Sequence, residues 1–122
     1  MPKLSFRINF FCILAEIFNF LFLAEMEKII IENTTKTPYI KFDHESGQIE
    51  LRGRSIMENT SSFYEPLVEW MDEYIEHPYE DGTMVFIDLE YFNSSTSKWL
   101  LTLFEKFSSL YRRNHYIIVK LL

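Results

Sequence analysis

The feature that most constrains the fold is a short apolar run followed, after a polar break, by a helical pattern. Residues 84–89, MVFIDL, form a compact apolar run that is typical of a buried strand. From Ser95 to about Tyr111, apolar residues recur at three- and four-residue steps, as they do on one face of a helix. The residues predicted to face inward are Leu100, Leu103, Phe104, Phe107 and Leu110. A buried strand that leads into an amphipathic helix predicts an α/β fold.

Five further elements complete the pattern. Gly47, which can adopt a positive φ, predicts a hairpin between the second and third strands. Pro66 lies within a helical pattern, so either the regular helix begins near Tyr64 or its opening turn is bent. The order β-β-β-α-β-α-β predicts a mixed sheet with helices packed on it. Strands are predicted at Lys28–Glu32, Tyr39–Asp43, Gln48–Arg52 and Tyr116–Val119, and the other helix lies between Glu58 and His77.

Composition excludes several classes of function. With 122 residues, 48% of them hydrophobic, the chain has the length and the apolar surface for one domain. Its net charge of −6 argues against a nucleic-acid partner, because binding to a phosphate backbone needs a basic surface. The single cysteine, Cys12, excludes an internal disulfide, and His44, His77 and His115 lack metal-ligand spacing. We therefore expect no metal and no cofactor.

Residues 1–25 differ in character from the rest of the chain. Ile8–Ala24 is almost continuously apolar, and Lys3 and Arg7 precede it as basic residues precede the core of a signal peptide. The run contains Glu16, is slightly shorter than the roughly 20 residues of a spanning helix, and lacks a cleavage site. Three interpretations remain open: an upstream extension wrongly included in the chain, a membrane-directing segment, or a buried helix. The second would make the chain a membrane-tethered protein-interaction module.

Hydroxyl-bearing residues cluster between the buried strand and the helix that follows it. Asn93, Ser94, Ser95, Thr96 and Ser97 are predicted to lie in a loop at the carboxyl end of the strand and the amino end of the helix. Free backbone N–H groups and the helix dipole favour an anion at such a place. A phosphate on one of these hydroxyls would add about −1.5 to −2 charges and change any docking surface. The pattern alone leaves helix capping and a regulatory phosphorylation site both open.

Two carboxylates are the candidate residues for an enzyme. Asp88 and Glu90 alternate with Leu89 on the predicted strand, so they would share a face and could act as an acid–base pair. Neither a nucleophile–His–acid spacing, nor a Gly-rich phosphate loop, nor an HExxH motif accompanies them. Glu90 is more simply interpreted as a solvated residue at the rim of the sheet. We therefore predict no catalytic residue and no enzymatic activity.

Two stretches of the chain resemble the signature blocks of a known family. They are FDHESGQIELRGRSIMENTSSFYEPLVEWMDEYI, from Phe42 to Ile75, and IDLEYFNSSTSKWLL, from Ile87 to Leu101. Their GRS turn, FYxPLxxW helix and YFN-hydroxyl-rich-K loop occur in the order found in the SiaC family of bacterial signalling phosphoproteins. The resemblance spans about Met26 to Val119. It implies a STAS-like α/β fold, a mixed β-sheet with helices packed on it, similar to that of the anti-sigma-factor antagonists.

The resemblance also implies a switch controlled by phosphorylation. In the SiaC family, the residue after the loop asparagine is typically a threonine, which a partner Ser/Thr kinase phosphorylates and a metal-dependent phosphatase restores. Asn93 matches that asparagine, so Ser94 is the predicted phosphoacceptor, with Ser95 and Thr96 as alternatives. The unphosphorylated form is expected to bind and activate a diguanylate cyclase, in biofilm regulation through cyclic di-GMP. The residues implied to form the partner-binding loop are Tyr91, Phe92, Asn93, Ser94, Ser95 and Lys98.

The resemblance sets expectations for domains and location as well. Residues 1–25 have no counterpart in the family pattern, so the chain divides into an apolar extension, 1–25, and a SiaC-like domain, 26–122. Family chains continue beyond the point matched by Val119, so we expect this domain to be short at its C-terminus and to lack the final element. We expect a cytoplasmic protein, with membrane association through residues 8–24 only if residues 1–25 are genuine.

Overall fold

The computed structural model describes residues 26–122 together with Ile13, Leu14, Glu16 and Ile17, so the three interpretations of residues 1–25 lie largely outside it. The order of elements is the one predicted from the sequence. It runs β1 (Ile29–Ile31), β2 (Tyr39–Asp43), β3 (Gln48–Ser55), α1 (Thr60–Glu76), β4 (Thr83–Phe92), α2 (Ser94–Arg112) and β5 (Ile117–Leu121). Within the described residues, we find no helix with the length and hydropathy needed to cross a membrane.

The five strands form one mixed sheet in the order β1-β2-β3-β4-β5. The first three strands pair antiparallel, and β3, β4 and β5 pair in parallel. Parallel neighbours need a crossover, which α1 supplies between β3 and β4 and α2 supplies between β4 and β5. Both crossovers advance across the sheet in the same direction, so the two helices cover the same face and pack on each other. The predicted α/β class with a mixed sheet is confirmed.

The core lies between the sheet and the two helices. Alternate strand residues point towards the helices, because side chains of a strand alternate between its faces. Each fully buried side chain of this kind stabilises the fold by about 1.5–3 kcal/mol, so a charge at Val85 on the central strand would disrupt it. The buried strand residues are Ile40, Phe42, Ile49, Leu51, Val85 and Ile87, and the helices add Tyr64, Leu67, Trp70, Met71, Tyr74, Ile75, Leu100, Leu103, Phe107 and Leu110.

Two strands extend further than their sequence patterns predict. The GRS motif does not form a turn, because β3 continues through it to Ser55. Gly53 has φ = +112°, which a residue without a side chain adopts at little cost. Gly53 pairs with Leu89 and Arg54 pairs with Tyr91, so Glu90 is an extra residue that forms a bulge in β4. The strand therefore bends and stays paired beyond the predicted end at Leu89.

Helix α1 begins before Tyr64, the start that one of the two interpretations of Pro66 required. The Asn59 side chain caps the helix by accepting a hydrogen bond from the Ser62 N–H (3.4 Å), and the helix starts at Thr60. Pro66 therefore lies inside the helix, in its second turn, where its ring nitrogen cannot donate to the carbonyl of Ser62. The interpretation that the regular helix begins near Tyr64 is wrong.

Candidate functional site

The predicted phosphoacceptor stands at the first position of α2, directly after its cap. Asn93 is the N-cap residue, with an extended backbone (φ −88°, ψ 175°), and its Oδ1 accepts from the Thr96 N–H (3.0 Å). The same oxygen accepts from the Ser95 hydroxyl (3.1 Å). Ser94 to Ser97 therefore form the first helical turn. The expectation that these hydroxyls lie in a loop is wrong, because one well-placed asparagine starts the helix immediately after β4.

Asn93 is also fixed to the end of β3. Its backbone N–H donates to the Ser55 carbonyl (3.1 Å), and its side-chain Nδ2 donates to the Met57 carbonyl (3.1 Å). The cap therefore uses its backbone N–H and both polar atoms of its side chain in structural hydrogen bonds. It holds the start of α2 in one position relative to the central strands.

A buried polar group lies beneath this cap, and we call it the Ser55 cluster: Ser55, Tyr64, Asn93 and Thr96. The Ser55 hydroxyl is 2.7 Å from the Tyr64 hydroxyl and 2.8 Å from the Thr96 hydroxyl. Thr96 Oγ1 lies 3.0 Å from the Ser55 carbonyl and 2.8 Å from Asn93 Oδ1. Burial raises the pKa of the Tyr64 phenol, and hydrogen bonds from its two hydroxyl neighbours partly offset the rise. Tyr64 is therefore a neutral hydrogen-bonding group at physiological pH.

The hydroxyls of the first turn of α2 differ sharply in accessibility. Thr96 is completely buried, and Ser95 is half-buried and bonded to the cap. The Ser97 hydroxyl donates to the Ser94 carbonyl (2.6 Å). Ser94 is exposed, and its hydroxyl bonds to no group within residues 26–122. Of the four, Ser94 is the one that presents a free hydroxyl to solvent.

Exposed side chains precede and follow Ser94 in the chain. Tyr91 and Phe92, at the end of β4, are 64% and 47% exposed. They belong to a strand and not to the predicted loop, because the bulge extends β4 to the cap. Lys98 is exposed one turn into α2. The first turn of α2 carries no acidic residue, so the positive end of the helix dipole stays uncompensated beside Ser94.

Trp99 links the starts of the two helices. Its indole Nε1 donates to the Thr60 hydroxyl (3.2 Å) at the first position of α1, and its ring stacks on Tyr64 at 6.2 Å between centroids. Both helix N-termini therefore lie at the same end of the molecule. The Trp99 side chain thus holds the start of α2 against the start of α1.

Sequence reasoning missed Ser55 and Tyr64 as parts of this site. A signal for Ser55 was present, because the alternation of Ile49 and Leu51 continues two residues at a time to Ser55 on the buried face. Tyr64 follows another aromatic residue, Phe63, which is only partly buried, so spacing alone did not single out Tyr64. The partner hydroxyls come from residues 9 and 41 positions away from Ser55, which no local pattern reveals.

A second polar group, the Thr83 cluster, lies at the opposite end of the sheet and comprises Tyr74, Tyr79, Thr83 and His115. The Thr83 hydroxyl is 2.6 Å from the Tyr74 hydroxyl and 2.7 Å from His115 Nε2. The Tyr79 N–H donates to the Tyr74 hydroxyl (3.2 Å). Burial raises the pKa of Tyr74 and lowers the pKa of His115, because the charged forms of both groups are disfavoured away from water.

The two carboxylates considered for an enzyme lie in different surroundings. Glu90 is exposed and forms an ion pair with Arg54 (3.2 Å), and Asp88 is exposed on the face of the sheet away from the helices. Glu90 is the bulge residue, so it does not follow the simple alternation that predicted a shared face. Among the residues that the structure describes, no three His, Cys, Asp or Glu side chains are grouped to hold a metal ion.

Comparisons with known proteins agree on one family. The sequence profile of the family described as SiaC family regulatory phosphoprotein matches residues 31–120. The fold is similar to the crystal structure of apo-SiaC from Pseudomonas aeruginosa, with a TM-score of 0.73 and 18% sequence identity over 78% of this chain and 78% of that chain. A second structure of SiaC from Pseudomonas aeruginosa gives the same values.

A third similar structure contains a complex. It is the crystal structure of the diguanylate cyclase SiaD with its activator SiaC from Pseudomonas aeruginosa, with a TM-score of 0.69 and 19% identity over 75% of this chain and 74% of that chain. Identities this low establish a shared fold and nothing finer. A comparison with curated protein sequences finds no match.

Proposed function

The chain belongs to the SiaC family of regulatory phosphoproteins, and from this premise we propose that it is a phosphorylation-controlled switch whose phosphoacceptor is Ser94. One observation carries the proposal. Ser94 is an exposed hydroxyl with no bond to the described residues, at the first position of a helix whose start is fixed to the core. A kinase can reach this hydroxyl without disturbing the fold.

The two alternative acceptors are less accessible than Ser94. Thr96 is buried within the Ser55 cluster, so a phosphate there would require the first turn of α2 to open. Ser95 donates to the cap oxygen of Asn93, so its modification would compete with helix capping. The ordinary capping interpretation therefore applies to Asn93, whose side-chain oxygen holds Ser95 and Thr96, and the regulatory interpretation is the one that we propose for Ser94.

A phosphate on Ser94 would change the surface and leave the fold intact. It would stand at the positive end of the α2 dipole, where a negative group is stabilised by about 0.3–1 kcal/mol. Lys98 lies four residues further along the helix, a spacing at which an acidic group and a lysine interact favourably. The start of α2 would thus tolerate the new charge. The effect of the phosphate would fall on the protein that binds at this end of the molecule.

The docking partner that we propose is a diguanylate cyclase, bound by the unphosphorylated form. The solved complex of SiaD with its activator SiaC supports this choice through the shared fold and family. The proposed contact surface is the end of β4 and the start of α2, with the neutral Ser94 hydroxyl at its centre. The other residues proposed to belong to it are Tyr91, Phe92, Asn93, Ser95 and Lys98. A phosphate would place about −1.5 to −2 charges on this surface, and the partner would have to desolvate or oppose them.

Two enzymes would set the fraction of active protein. We propose a Ser/Thr kinase that modifies Ser94 and a metal-dependent phosphatase that restores it. Serine at this position lacks the methyl group of the family's usual threonine, so both enzymes are expected to discriminate between Ser94 and a Ser94→Thr variant. In this scheme the chain supplies the surface and the acceptor hydroxyl, and it performs no chemistry of its own.

The same scheme places the 26–122 domain in the cytoplasm, where a kinase has access to ATP. Separating the soluble and membrane fractions of cells that express the full-length chain tests this location. Recovery in the soluble fraction is expected. Recovery in the membrane fraction would instead support the tethered module held by residues 8–24.

The phosphorylation site is tested by mass spectrometry. The full chain is incubated with ATP, Mg²⁺ and the partner kinase, and phosphate is expected on Ser94 in the wild type and in a Ser97→Ala control, because the Ser97 hydroxyl is held by the Ser94 carbonyl. Ser94→Ala is expected to remove the label. Labelling of Ser94→Ala to the same extent as the wild type would move the acceptor to another residue.

A further inference from the structure

The three histidines of the chain gather at the end of the molecule opposite Ser94. His77 is the C-cap residue of α1, His44 directly follows β2, and His115 lies in the connection between α2 and β5. Histidine is the side chain whose ordinary pKa allows its charge to change between about pH 5 and 8. A response of the fold to pH in this range is therefore expected at this end.

The hydrogen bonds of the Thr83 cluster run in one direction. The Tyr79 N–H donates to the Tyr74 hydroxyl oxygen (3.2 Å). Tyr74 is completely buried, and the acceptor that the described residues offer to its own hydrogen is Thr83 Oγ1 (2.6 Å). The Thr83 hydrogen is then left to donate to His115 Nε2 (2.7 Å). Since Nε2 must accept, the neutral ring of His115 carries its hydrogen on Nδ1.

His44 is bonded in the opposite sense. Its Nε2 lies 3.0 Å from the His77 carbonyl oxygen, which can only accept. His44 Nε2 therefore carries the hydrogen in the neutral ring, and the same atom still donates after the ring gains a proton. Protonation thus keeps the hydrogen bond of His44, whereas it reverses the role of His115 Nε2.

We infer that His115 is a pH-responsive switch that closes the Thr83 cluster when it is neutral and leaves the cluster when it is protonated. A protonated Nε2 donates to the Thr83 oxygen, so the Thr83 hydrogen has no acceptor among the described residues. Thr83 is 2% exposed, so water cannot supply one. Reversing the Tyr74 bond only moves the unsatisfied hydrogen to Tyr74, which is completely buried. Because a buried donor without an acceptor is unfavourable, the charged ring separates from Thr83.

The backbone at His115 is held by the end of α2, so the switch moves the side chain alone. Asn114 has φ = +62°, the left-handed conformation that is common just after a helix. The Asn114 N–H donates to the Tyr111 carbonyl (3.0 Å), and the His115 N–H donates to the Leu110 carbonyl (3.1 Å). The ring is half-buried, so rotation about its side-chain bonds brings it to water. There it stays beside the negative end of the α2 dipole, where a positive charge is favoured.

No carboxylate stabilises a charged ring at Thr83. Among the residues that the structure describes, His115 forms no ion pair with an aspartate or a glutamate. Arg112 lines the same cavity as His115 and disfavours a second positive charge there. Burial lowers the pKa of His115 as well, so the ring is neutral at physiological pH. The other titratable groups on the surrounding elements are Tyr74 of α1 with Asp43 and His44 beside it, Tyr79 and Asp81 before β4, Tyr111 of α2 and Tyr116 before β5.

The switch at His115 is independent of the proposed phosphorylation of Ser94. Thr83 is the first residue of β4, whereas Ser94 follows the other end of that strand. Protonation of His115 is measured without a kinase or a cyclase, so the two proposals fail separately.

NMR of the ¹⁵N-labelled full chain between about pH 5 and 8 tests the switch, because the imidazole nitrogen signals show which nitrogen carries the hydrogen. Above about pH 7, His115 is expected in the Nδ1–H form and His44 in the Nε2–H form. As the pH falls, the amide signals of Thr83 and Tyr79 are expected to shift together with the protonation of His115. An Nε2–H form of His115 above about pH 7 would overturn the inference, and so would amide signals that do not follow its protonation.

Two substitutions of Thr83 separate the effect of the hydrogen bond from that of burial. Thr83→Val removes the hydroxyl that favours neutral His115, so the ring is expected to lose its Nδ1–H preference and its pKa to rise. Thr83→Ser keeps the hydroxyl and is expected to retain the wild-type form and pKa. Thr102→Val, which removes a hydroxyl bonded within α2, is the control and should leave His115 unchanged. A wild-type Nδ1–H preference in folded Thr83→Val would contradict the inference, because burial alone would then determine the state of the ring.

Discussion

The Ser55 cluster and the Thr83 cluster have the same kind of hydrogen-bonded pair at their centre but differ in the residue to which that pair is joined. Each joins a fully buried tyrosine hydroxyl of α1 to a hydroxyl at one end of a central strand, Tyr64 to Ser55 and Tyr74 to Thr83. The Ser55 cluster then reaches the cap of α2, and the Thr83 cluster reaches His115 in the connection to β5. A hydrogen bond between a buried tyrosine of α1 and a strand hydroxyl thus occurs twice, at opposite ends of the same sheet.

The difference between the clusters indicates which end of the molecule suits regulation by phosphate. Both helices start at the end that holds the Ser55 cluster, so free N–H groups and positive dipole ends converge there. Both helices end beside the Thr83 cluster, where carbonyls and a titratable histidine are found instead. An added negative charge is therefore tolerated at one end and disfavoured at the other.

The largest expected effect on folding comes from the centre of the Ser55 cluster. Thr96→Val keeps the shape of the side chain but removes the hydroxyl that lies close to three oxygen atoms of Ser55 and Asn93. We expect the free energy of unfolding to fall by about 2–3 kcal/mol, because buried polar partners are left unsatisfied. Urea denaturation measures this. Thr102→Val, which removes one hydrogen bond within the same helix, is the control and should cost less than about 0.5 kcal/mol.

The corresponding change in the Thr83 cluster should have a smaller effect. Thr83→Val removes the hydroxyl between Tyr74 and His115 and should lower the free energy of unfolding by about 1–2 kcal/mol. The loss is smaller because His115 is half-buried and can bond to water, and because Tyr74 keeps its bond from the Tyr79 N–H. An effect as large as that of Thr96→Val would show that the two clusters contribute equally to stability.

The smallest expected effect is a dependence of stability on pH. It is expected from the Thr83 cluster, which contains His115, and not from the Ser55 cluster, which contains no histidine. The pKa of His115 is lowered from its ordinary value of 6.5 by burial, so the unfolded chain takes up a proton before the folded chain does. This contribution to stability is complete above about pH 7 and is lost as the pH falls from there towards the lowered pKa. Denaturation of His115→Gln between pH 5.5 and 7.5 should show a flatter dependence than the wild type. If the free energy of unfolding changes with pH equally in His115→Gln and in the wild type, His115 does not contribute to the pH dependence.

The order of elements was readable from the sequence because periodicity is a local property. The strand at Tyr39–Asp43 was predicted to the residue, and the apolar steps from Leu100 to Leu110 correctly marked the buried face of α2. The position of Ser94 at a helix start followed from the same pattern, although the start came one residue earlier than predicted. Hydrophobic spacing therefore located the candidate site to within one turn.

The parts that the sequence did not reveal depend on pairing between distant segments. The bulge at Glu90 lies where β4 pairs with Gly53 and Arg54 of β3, and beyond it the strand continues past the predicted end to Phe92. Thr96 was predicted as an alternative phosphoacceptor, whereas its contacts with Ser55 and Tyr64 bury it. Tertiary contacts decide which hydroxyls of such a run are exposed. Exposure is what distinguishes Ser94 from its neighbours.

The central claim is that the charge at Ser94 controls docking without controlling folding. Calorimetric titration of the partner cyclase against the wild type, Ser94→Ala and Ser94→Asp tests it most directly, with thermal melts of each variant. Ser61→Asp, an exposed serine in the first turn of α1, is the matched control.

The account predicts that Ser94→Ala binds as the unphosphorylated protein does. Ser94→Asp should lose about 2–5 kcal/mol of binding free energy, roughly thirty- to several-thousand-fold in affinity, at nearly unchanged stability. Ser61→Asp should bind almost normally. Equal affinities of Ser94→Ala and Ser94→Asp at equal stabilities would contradict the claim and leave the turn at Ser94 as an ordinary helix start. Equal losses in Ser94→Asp and Ser61→Asp would contradict it too, because this end of the molecule would then oppose any negative charge.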